Sequence, residues 1–465
     1  MPLIPRSRWL APVAFTVLAA AISGCAVGPV YQRPVLATPA SYKELPGWVQ
    51  ANPADAIERG AWWALFNDPA LNALVTQVEV SNQNVAAATA AYAQARALVR
   101  EQRAGLFPVV GLDGSGRRAG GDAAGAASTY QASIGASWEP DVWGRLSRTV
   151  DSASASAQAS NADLASALLA AQGELAINYF SLRQTDAQSA LLQTTITGFE
   201  RSLAITQNRY QAGIAPKTDL LQAQTQLANA QAELVGLVRQ RAQLEHAIAV
   251  LVGQAPGNFT LAMAPWTATL PQVPVGVPST LLQRRPDIAA AVRRVAAANE
   301  QIGIAQSALY PSLSLSASTG VGASRIGELF SASTAVWSLG LSTAQVLFDA
   351  GARRERINES RAAQEQAAAR YRQTVLVAFQ GVEDQLSATS VLMQQQVLRE
   401  QASRAADETE VQTLNRYRAG QVAYTEVVTA QASALGARRA LVQLAADRQV
   451  TAVALIQALG GGWTE

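Results

Sequence analysis

The chain has 465 residues, with 36 Lys and Arg against 34 Asp and Glu and a formal net charge of +2. Both surplus charges, Arg6 and Arg8, lie in the first 24 residues, so from Cys25 onward the count balances at 34 against 34. That balance excludes an electrostatic nucleic-acid binder, which needs a basic face. One Cys and one His exclude an intramolecular disulfide and any Cys/His metal site built within one chain.

Residues 1–24 read as a signal peptide: Arg6 and Arg8, an apolar run from Trp9 to Ile22, then small residues. The only cysteine follows in Ile22-Ser23-Gly24-Cys25, which resembles a bacterial lipobox. That resemblance implies a diacylglycerol and an N-acyl chain (palmitate) on Cys25 as the only covalent additions, with no other cofactor. The charged start, apolar run and position together outweigh the alternative of a buried thiol beside a chance run of small residues. Ala26 stands where lipoproteins held at the inner membrane usually carry Asp, which implies the outer membrane. No other segment has about 18 uninterrupted apolar residues, so no transmembrane helix is expected. A membrane protein without one is either an anchored soluble protein or a closed β-barrel.

Next comes an extended segment, 25–67, within the proline-rich start: nine of 19 prolines precede residue 70. Six more fall between Pro256 and Pro286 and mark a linker, 254–283, between two halves that match. The stretch from Arg209 to Gly253 aligns without a gap on that from Arg416 to Gly460, an offset of 207 with 14 identities in 45. Arg209-Tyr210-x-Ala212-Gly213 pairs with Arg416-Tyr417-x-Ala419-Gly420, and Ala223-Gln224 with Ala430-Gln431. Leu106-Phe107-Pro108 echoes Leu309-Tyr310-Pro311. Such self-similarity means one structural unit used twice, here a first repeat over 68–253 and a second over 284–460, with a tail at 461–465.

Each repeat is expected to be mostly helical. Leu220, Leu227, Leu234 and Ile248 share one heptad seam; Val427, Ala434, Leu441 and Leu455 repeat it. Upstream, Arg145–Arg209 and Ala350–Asn415 contain no proline. As continuous helices each would run roughly 100 Å at 1.5 Å per residue. An ordinary antiparallel coiled coil would also fit the helices alone.

Between the helices the period changes to two. Tyr130, Ala132, Ile134, Ala136 and Trp138 alternate with Gln131, Ser133, Gly135 and Ser137. Leu309, Pro311, Leu313 and Leu315 alternate with Tyr310, Ser312, Ser314 and Ser316; Ala335, Trp337, Leu339 and Leu341 alternate with Val336, Ser338, Gly340 and Ser342. A fourth strand before Gly114 puts Leu106, Val110 and Leu112 on its apolar face. The hairpins are placed at 104–142 and 308–347, with exposed tips at Ala119–Thr129 and Gly322–Ser333. Runs of about 9–13 alternating residues suit oblique crossing of an outer membrane. Four strands cannot close a barrel, single-chain barrels begin at about eight, and an open edge is not tolerated in lipid. The chain is therefore expected to oligomerise, three copies giving 12 strands. The fold class is an α+β membrane protein with an internal two-fold repeat.

These residues resemble the TolC-type outer-membrane factor family, in its NodT/OprM-like lipoprotein branch. The resemblance is carried, in order, by the stretch from Cys25 through Gly28, Pro29, Tyr31, Arg33 and Pro34; by Trp62-Trp63, Phe66, Asp68-Pro69 and Leu71; by Trp138-Glu139, Asp141 and Gly144-Arg145; by Arg284-Arg285-Pro286-Asp287; and by Gly460-Gly461-Gly462-Trp463. It implies a homotrimer with a 12-stranded barrel in outer-membrane lipid, a long α-helical coiled-coil barrel in the periplasm, and a collar formed by both termini and the linker. It implies a passive exit duct for drugs and toxic compounds, a multidrug-resistance efflux role. A periplasmic adaptor and an inner-membrane resistance–nodulation–division transporter are the implied partners. It places adaptor contacts at the two helical tips, on Arg209, Tyr210, Gly213, Arg416, Tyr417 and Gly420. The gate falls on Thr425 and Thr429, where relatives often carry Leu and Asp; the nearest acid, Glu426, lies on another face.

Competing chemistry is weak. His246 is a lone histidine, Arg284-Arg285-Pro286-Asp287 suits a helix start better than a phosphate site, and Trp62-Trp63 suits packing. There is no phosphate loop, paired catalytic carboxylate or triad spacing, so neither catalytic nor metal residues are assigned and no enzyme is expected. Two other functions fit parts of the pattern: an outer channel for type I protein secretion, and a lipid-anchored coiled coil without a pore. The serine-lined alternating strands speak against the second.

Overall fold

The computed structural model describes residues 26–35, 43–44, 60–121, 124–271, 285–331 and 335–461. The signal segment, Cys25, Arg284 and the later part of the proline-rich linker, 272–283, lie outside them. The described elements are α1 (Pro69–Ser81), α2 (Gln83–Ala104), β1 (Val109–Gly121), β2 (Ala124–Trp138), α3 (Arg145–Gln211), α4 (Lys217–Leu251), α5 (Pro286–Ser307), β3 (Ser312–Ala323), β4 (Ala335–Ala344), α6 (Ala352–Arg418) and α7 (Tyr424–Ala458), with short 3-10 turns between some of them. The repeat is visible in these bounds. Helices α3 and α6 are both 67 residues long, and α4 and α7 both 35, each pair offset by 207. The proline-free stretches are thus continuous helices, as their composition predicts. None of the described helices is long and apolar enough to cross a membrane.

The chain divides into two units. One holds residues up to 36, 90–161 and 290–373 and contains the whole sheet. Its four strands are antiparallel in the order β1-β2-β3-β4, so among the described residues neither outer edge has a strand partner. The register tests the face assignment. Trp138 pairs with Leu315 and Leu315 with Leu341; Ala136 pairs with Ala317 and Ala317 with Leu339. Val110 and Leu112 of β1 pair with Ala136 and Ile134, which puts them on the same face. Ser137, Ser316 and Gly340 form a row on the opposite face, and so do Gly135, Ser318 and Ser338. One apolar and one small, polar face therefore run across all four strands, because cross-strand partners share a side.

Three details differ from the sequence reading. Leu106 is in the turn that ends α2, and β1 starts at Val109. Leu309 and Pro311 likewise precede β3, which starts at Ser312. A helix ending two residues before the Leu-aromatic-Pro motif needs its leucine for the closing turn: Leu106 and Leu309 donate to carbonyls three residues back, at Arg103 and Gln306. The first hairpin has no long tip, since pairing continues to Gly121 with Ala124. Small residues there extend the ladder instead of looping out.

The strand feet are tied to helices. Asp141 accepts from the Leu146 and Ser147 amides at 2.8 and 2.7 Å, capping the start of α3. Trp143 donates from Nε1 to the Pro311 carbonyl at 2.7 Å and stacks on Tyr310. The segment 26–35 is held here too. Val27 donates to the Trp143 carbonyl, and the Pro29 carbonyl accepts from Arg148 and Asn299. Arg148 also makes a 2.6 Å ion pair with Glu300.

An arginine on the apolar sheet face should block assembly, whereas one on the serine face should not. An Arg facing lipid near mid-bilayer costs about 2–4 kcal/mol. Leu315→Arg is therefore expected to remove most heat-resistant oligomer from outer membranes, and Ser316→Arg to leave most of it. Equal loss from both would refute the lipid-side assignment.

The second unit holds 37–89, 162–289 and the chain from 374. Its main core packs α1 and the turn Trp62–Phe66 against the middle of α3 and the ends of α4 and α7, with Trp62, Phe66, Leu71, Leu175, Phe180, Ile248 and Ile456 all but fully buried. Asp68 fixes this joint twice. It caps α1, accepting from Ala70 and Leu71 at 2.9 and 3.1 Å, and accepts from the Tyr179 hydroxyl at 2.6 Å. Trp62 is core packing, and His246 is exposed on α4. Arg285 grips Asp287 at 2.7 Å and the Ala458 carbonyl at 2.8 Å, the helix-start role expected of that motif.

Candidate functional site: the paired helical turns

In the second unit, α3 turns into α4 and α6 into α7 through loops of the same geometry. Gly213 has φ 71° and donates to Tyr210 at 2.9 Å, while Ile214 donates to Arg209 at 2.8 Å. Gly420 has φ 74° and donates to Tyr417 at 2.9 Å, while Gln421 donates to Arg416 at 2.9 Å. This is a Schellman closure, which needs a left-handed residue and so favours glycine. The Arg-Tyr-x-Ala-Gly motif is therefore the end of a helix, used twice.

The structure brings only some of the site residues together. Arg209 lies over the Tyr417 ring at 4.8 Å and donates to the Tyr417 and Arg418 carbonyls, both at 3.2 Å. It thus joins the two turns, adding a cation–π contact to a charged cap on α6. Beneath it, Tyr417 meets Tyr424 edge-on at 5.2 Å in a cluster with Ala223 and Val427. Their counterparts Tyr210 and Arg416 are exposed. Burial, reinforced by nearby Tyr417 and Asp219, pushes the Tyr424 hydroxyl up to about 12, so it stays neutral at any physiological pH. Burial also raises the Asp219 carboxyl, with Arg209 partly offsetting it.

Thr425 and Thr429 are exposed, one turn apart at the start of α7. They line a groove of about 710 Å³ between α4 and α7, together with Gln222, Thr225 and Asn229. The Thr429 hydroxyl donates to the Thr425 carbonyl at 2.9 Å, so its proton is spent within the helix. Farther along the groove Glu233 and Arg439 form an ion pair across it. The lining is mixed, with Phe199, Leu221, Val428 and Leu435 beside the polar side chains. Among the described residues no group of acidic, His or Cys side chains could hold a metal ion. Sequence reasoning did not find Ser202 and Gln431, both buried, whose side chains bond at 3.2 Å between α3 and α7. The Ala-Gln pair common to both repeats was the available signal.

Comparison with known proteins agrees with this architecture. The family model for outer membrane efflux proteins matches residues 74–254 and 277–461. A probable efflux pump outer membrane protein of Pseudomonas putida, TtgC, is 31% identical over 464 residues, covering 97% of this chain and 96% of that one. The cation efflux system protein CusC of Escherichia coli is 28% identical over 452 residues, covering 96% and 98%. Among solved structures, the outer-membrane channel OprN superposes with a TM-score of 0.88 at 30% identity, over 94% of this chain and 100% of that one.

Proposed function

Since the chain belongs to the outer membrane efflux protein family, and is thus a passive outer-membrane efflux channel and not an enzyme, we propose that three copies form the exit duct of a tripartite pump. The open sheet carries this reading. It has one apolar and one small, polar face, and both edges lack partners. Edge β1 of one copy pairing with β4 of the next satisfies both edges, and three copies make a 12-stranded barrel. Exposed Phe107 and Phe348 lie just outside the strands, with Trp138 at the foot of β2, as an interfacial aromatic girdle would. The groove bearing Thr425 and Thr429 then faces a common axis. The turns at Gly213 and Gly420 meet a periplasmic adaptor, which links the duct to an inner-membrane resistance–nodulation–division transporter that supplies the energy. Drugs and toxic small molecules are the cargo.

The test is mass and conductance together. Detergent-extracted protein should have the mass of three chains and form ion channels in planar bilayers. A monomer, or a trimer without conductance, would refute the duct.

The same reading places the lipid on Cys25. Ala26 packs against Gly144, at the junction between β2 and α3. Acyl chains there enter the leaflet next to the barrel. Cys25→Ser should abolish labelling by radioactive palmitate yet leave part of the trimer in the outer membrane. Absence of label on the wild-type chain would overturn the anchor.

A further inference from the structure

The contacts between the two repeats inside one chain come in two sets related by the offset of 207, and only one set is made. On the made side, Ser202 and Arg209 of α3 face Gln431 and Tyr417 of the second repeat. Ser202, Gln431 and Tyr417 are each 3% exposed. Moving every position by one repeat gives Thr409 and Arg416 on α6, and Gln224 and Tyr210 in the first repeat. All four of these are exposed. The glycines agree. A Cβ on Gly420 would meet the Arg209 guanidinium at 3.9 Å, whereas one on Gly213 would meet nothing within 4 Å.

We propose that the exposed set is the other half of a ring contact: Arg416 of one copy lies over Tyr210 of the next, and Thr409 meets its Gln224. The occupant is a second copy of this chain, and the inference rests on the trimeric duct proposed above. Chemistry supports the match. The two turns share the same Schellman closure, so Arg416 finds an aromatic face and helix-end carbonyls arranged as Arg209 does. An exposed tyrosine in the first repeat and an exposed arginine in the second are what an unmade cation–π pair leaves. Six such contacts alternate around the ring, three within chains and three between them. The ones between copies are added by assembly, so they bear on how tightly the turns close.

The experiment uses the full-length chain in outer membranes. Tyr210→Cys with Arg416→Cys, treated with a short bismaleimide, should yield dimers and trimers on denaturing gels. Arg209→Cys with Tyr417→Cys should react within one chain and run as monomer, and the wild type, with Cys25 alone, is the blank. Monomers only from the first pair, with three-chain mass and a reactive control pair, would overturn the contact while leaving the trimer intact. A single-chain mass would overturn both. In planar bilayers Arg416→Ala and Tyr210→Ala should raise resting conductance equally, the double variant no further, and Tyr210→Phe not at all. Additive increases would mean that the two residues do not meet.

Discussion

Asp186→Ala is expected to lose about 3–5 kcal/mol of stability, since it takes the carboxylate from the buried Arg183 and one of two carboxylates, the other being Glu245, from Arg241. Asp186 is 4% exposed and bridges Arg183 at 3.1 Å and Arg241 at 2.8 Å; those guanidiniums are 5% and 15% exposed. Arg183 also donates to the Ala262 carbonyl at 2.8 Å, Arg241 donates to the Leu261 carbonyl, and Glu245 accepts from the Leu261 amide at 2.6 Å. The cluster thus fastens residues 261–262, at the start of the linker, to α3 and α4. Thermal unfolding of the detergent-extracted oligomer should shift sharply downward. Asp186→Ala with Arg241→Ala should lose less than the sum of the single changes, because both single changes remove the same Asp186–Arg241 contact. Strict additivity, or a loss no larger than that at an exposed pair such as Arg325–Glu328, would show that the cluster carries little.

Thr425→Gly with Thr429→Gly is expected to give a channel that conducts at rest. In a trimer each position contributes three side chains about one axis, so each change acts three times. Glycine also weakens the first turns of α7 by about 0.3 kcal/mol per site relative to Thr, and it removes the Thr429 hydroxyl that bonds back to the Thr425 carbonyl. Resting conductance in planar bilayers should rise clearly above that of the parent. Thr429→Asp should instead make closure depend on pH. Three carboxylates facing one another raise each other's pKa and repel when ionised, so conductance should be higher at neutral than at acidic pH. The nearby Tyr424 does not contribute to such a dependence, because burial holds it neutral. Unchanged conductance in the double glycine variant would move the gate to the first-repeat counterparts, Thr218 and Gln222.

Much of this architecture was legible because it is periodic. A stretch from Arg145 to Arg209 without proline can be one helix, and Ser312–Ser318 can only alternate. The repeat offset, read from Arg209 and Arg416, reappears to the residue in the helix bounds. What escaped was set by neighbours rather than by pattern. Leu106 and Leu309 fit the strand alternation, but each is claimed by the closing turn of the helix before it. Residues 119–121 and 124–129 have loop-like composition, yet pairing holds them in strands, where small side chains are no hindrance. At the turns, Tyr210 and Tyr417 stand in the same motif, so nothing local distinguishes the exposed one from the buried one. The difference arises only when α3 meets the second repeat. Ser202 and Gln431 were hidden for the same reason: each is ordinary alone, and the bond between them spans 229 positions.

The matched helix lengths restrict how this chain can change in evolution. From Gly144 to Gly213 and from Gly351 to Gly420 the residue count is the same, and the turns at the far ends meet through Arg209 and Tyr417. Inserting one residue into α3 alone would advance its turn by about 1.5 Å and rotate it by about 100°, carrying Arg209 off the tyrosine ring and Ser202 away from Gln431. Lengthening is silent only when whole heptads enter both repeats at once, and their return helices with them. Ducts of this kind should therefore differ in length by steps of seven residues taken in concert. A lone insertion within α3 or α6 should survive only where a compensating one has already arisen a repeat away.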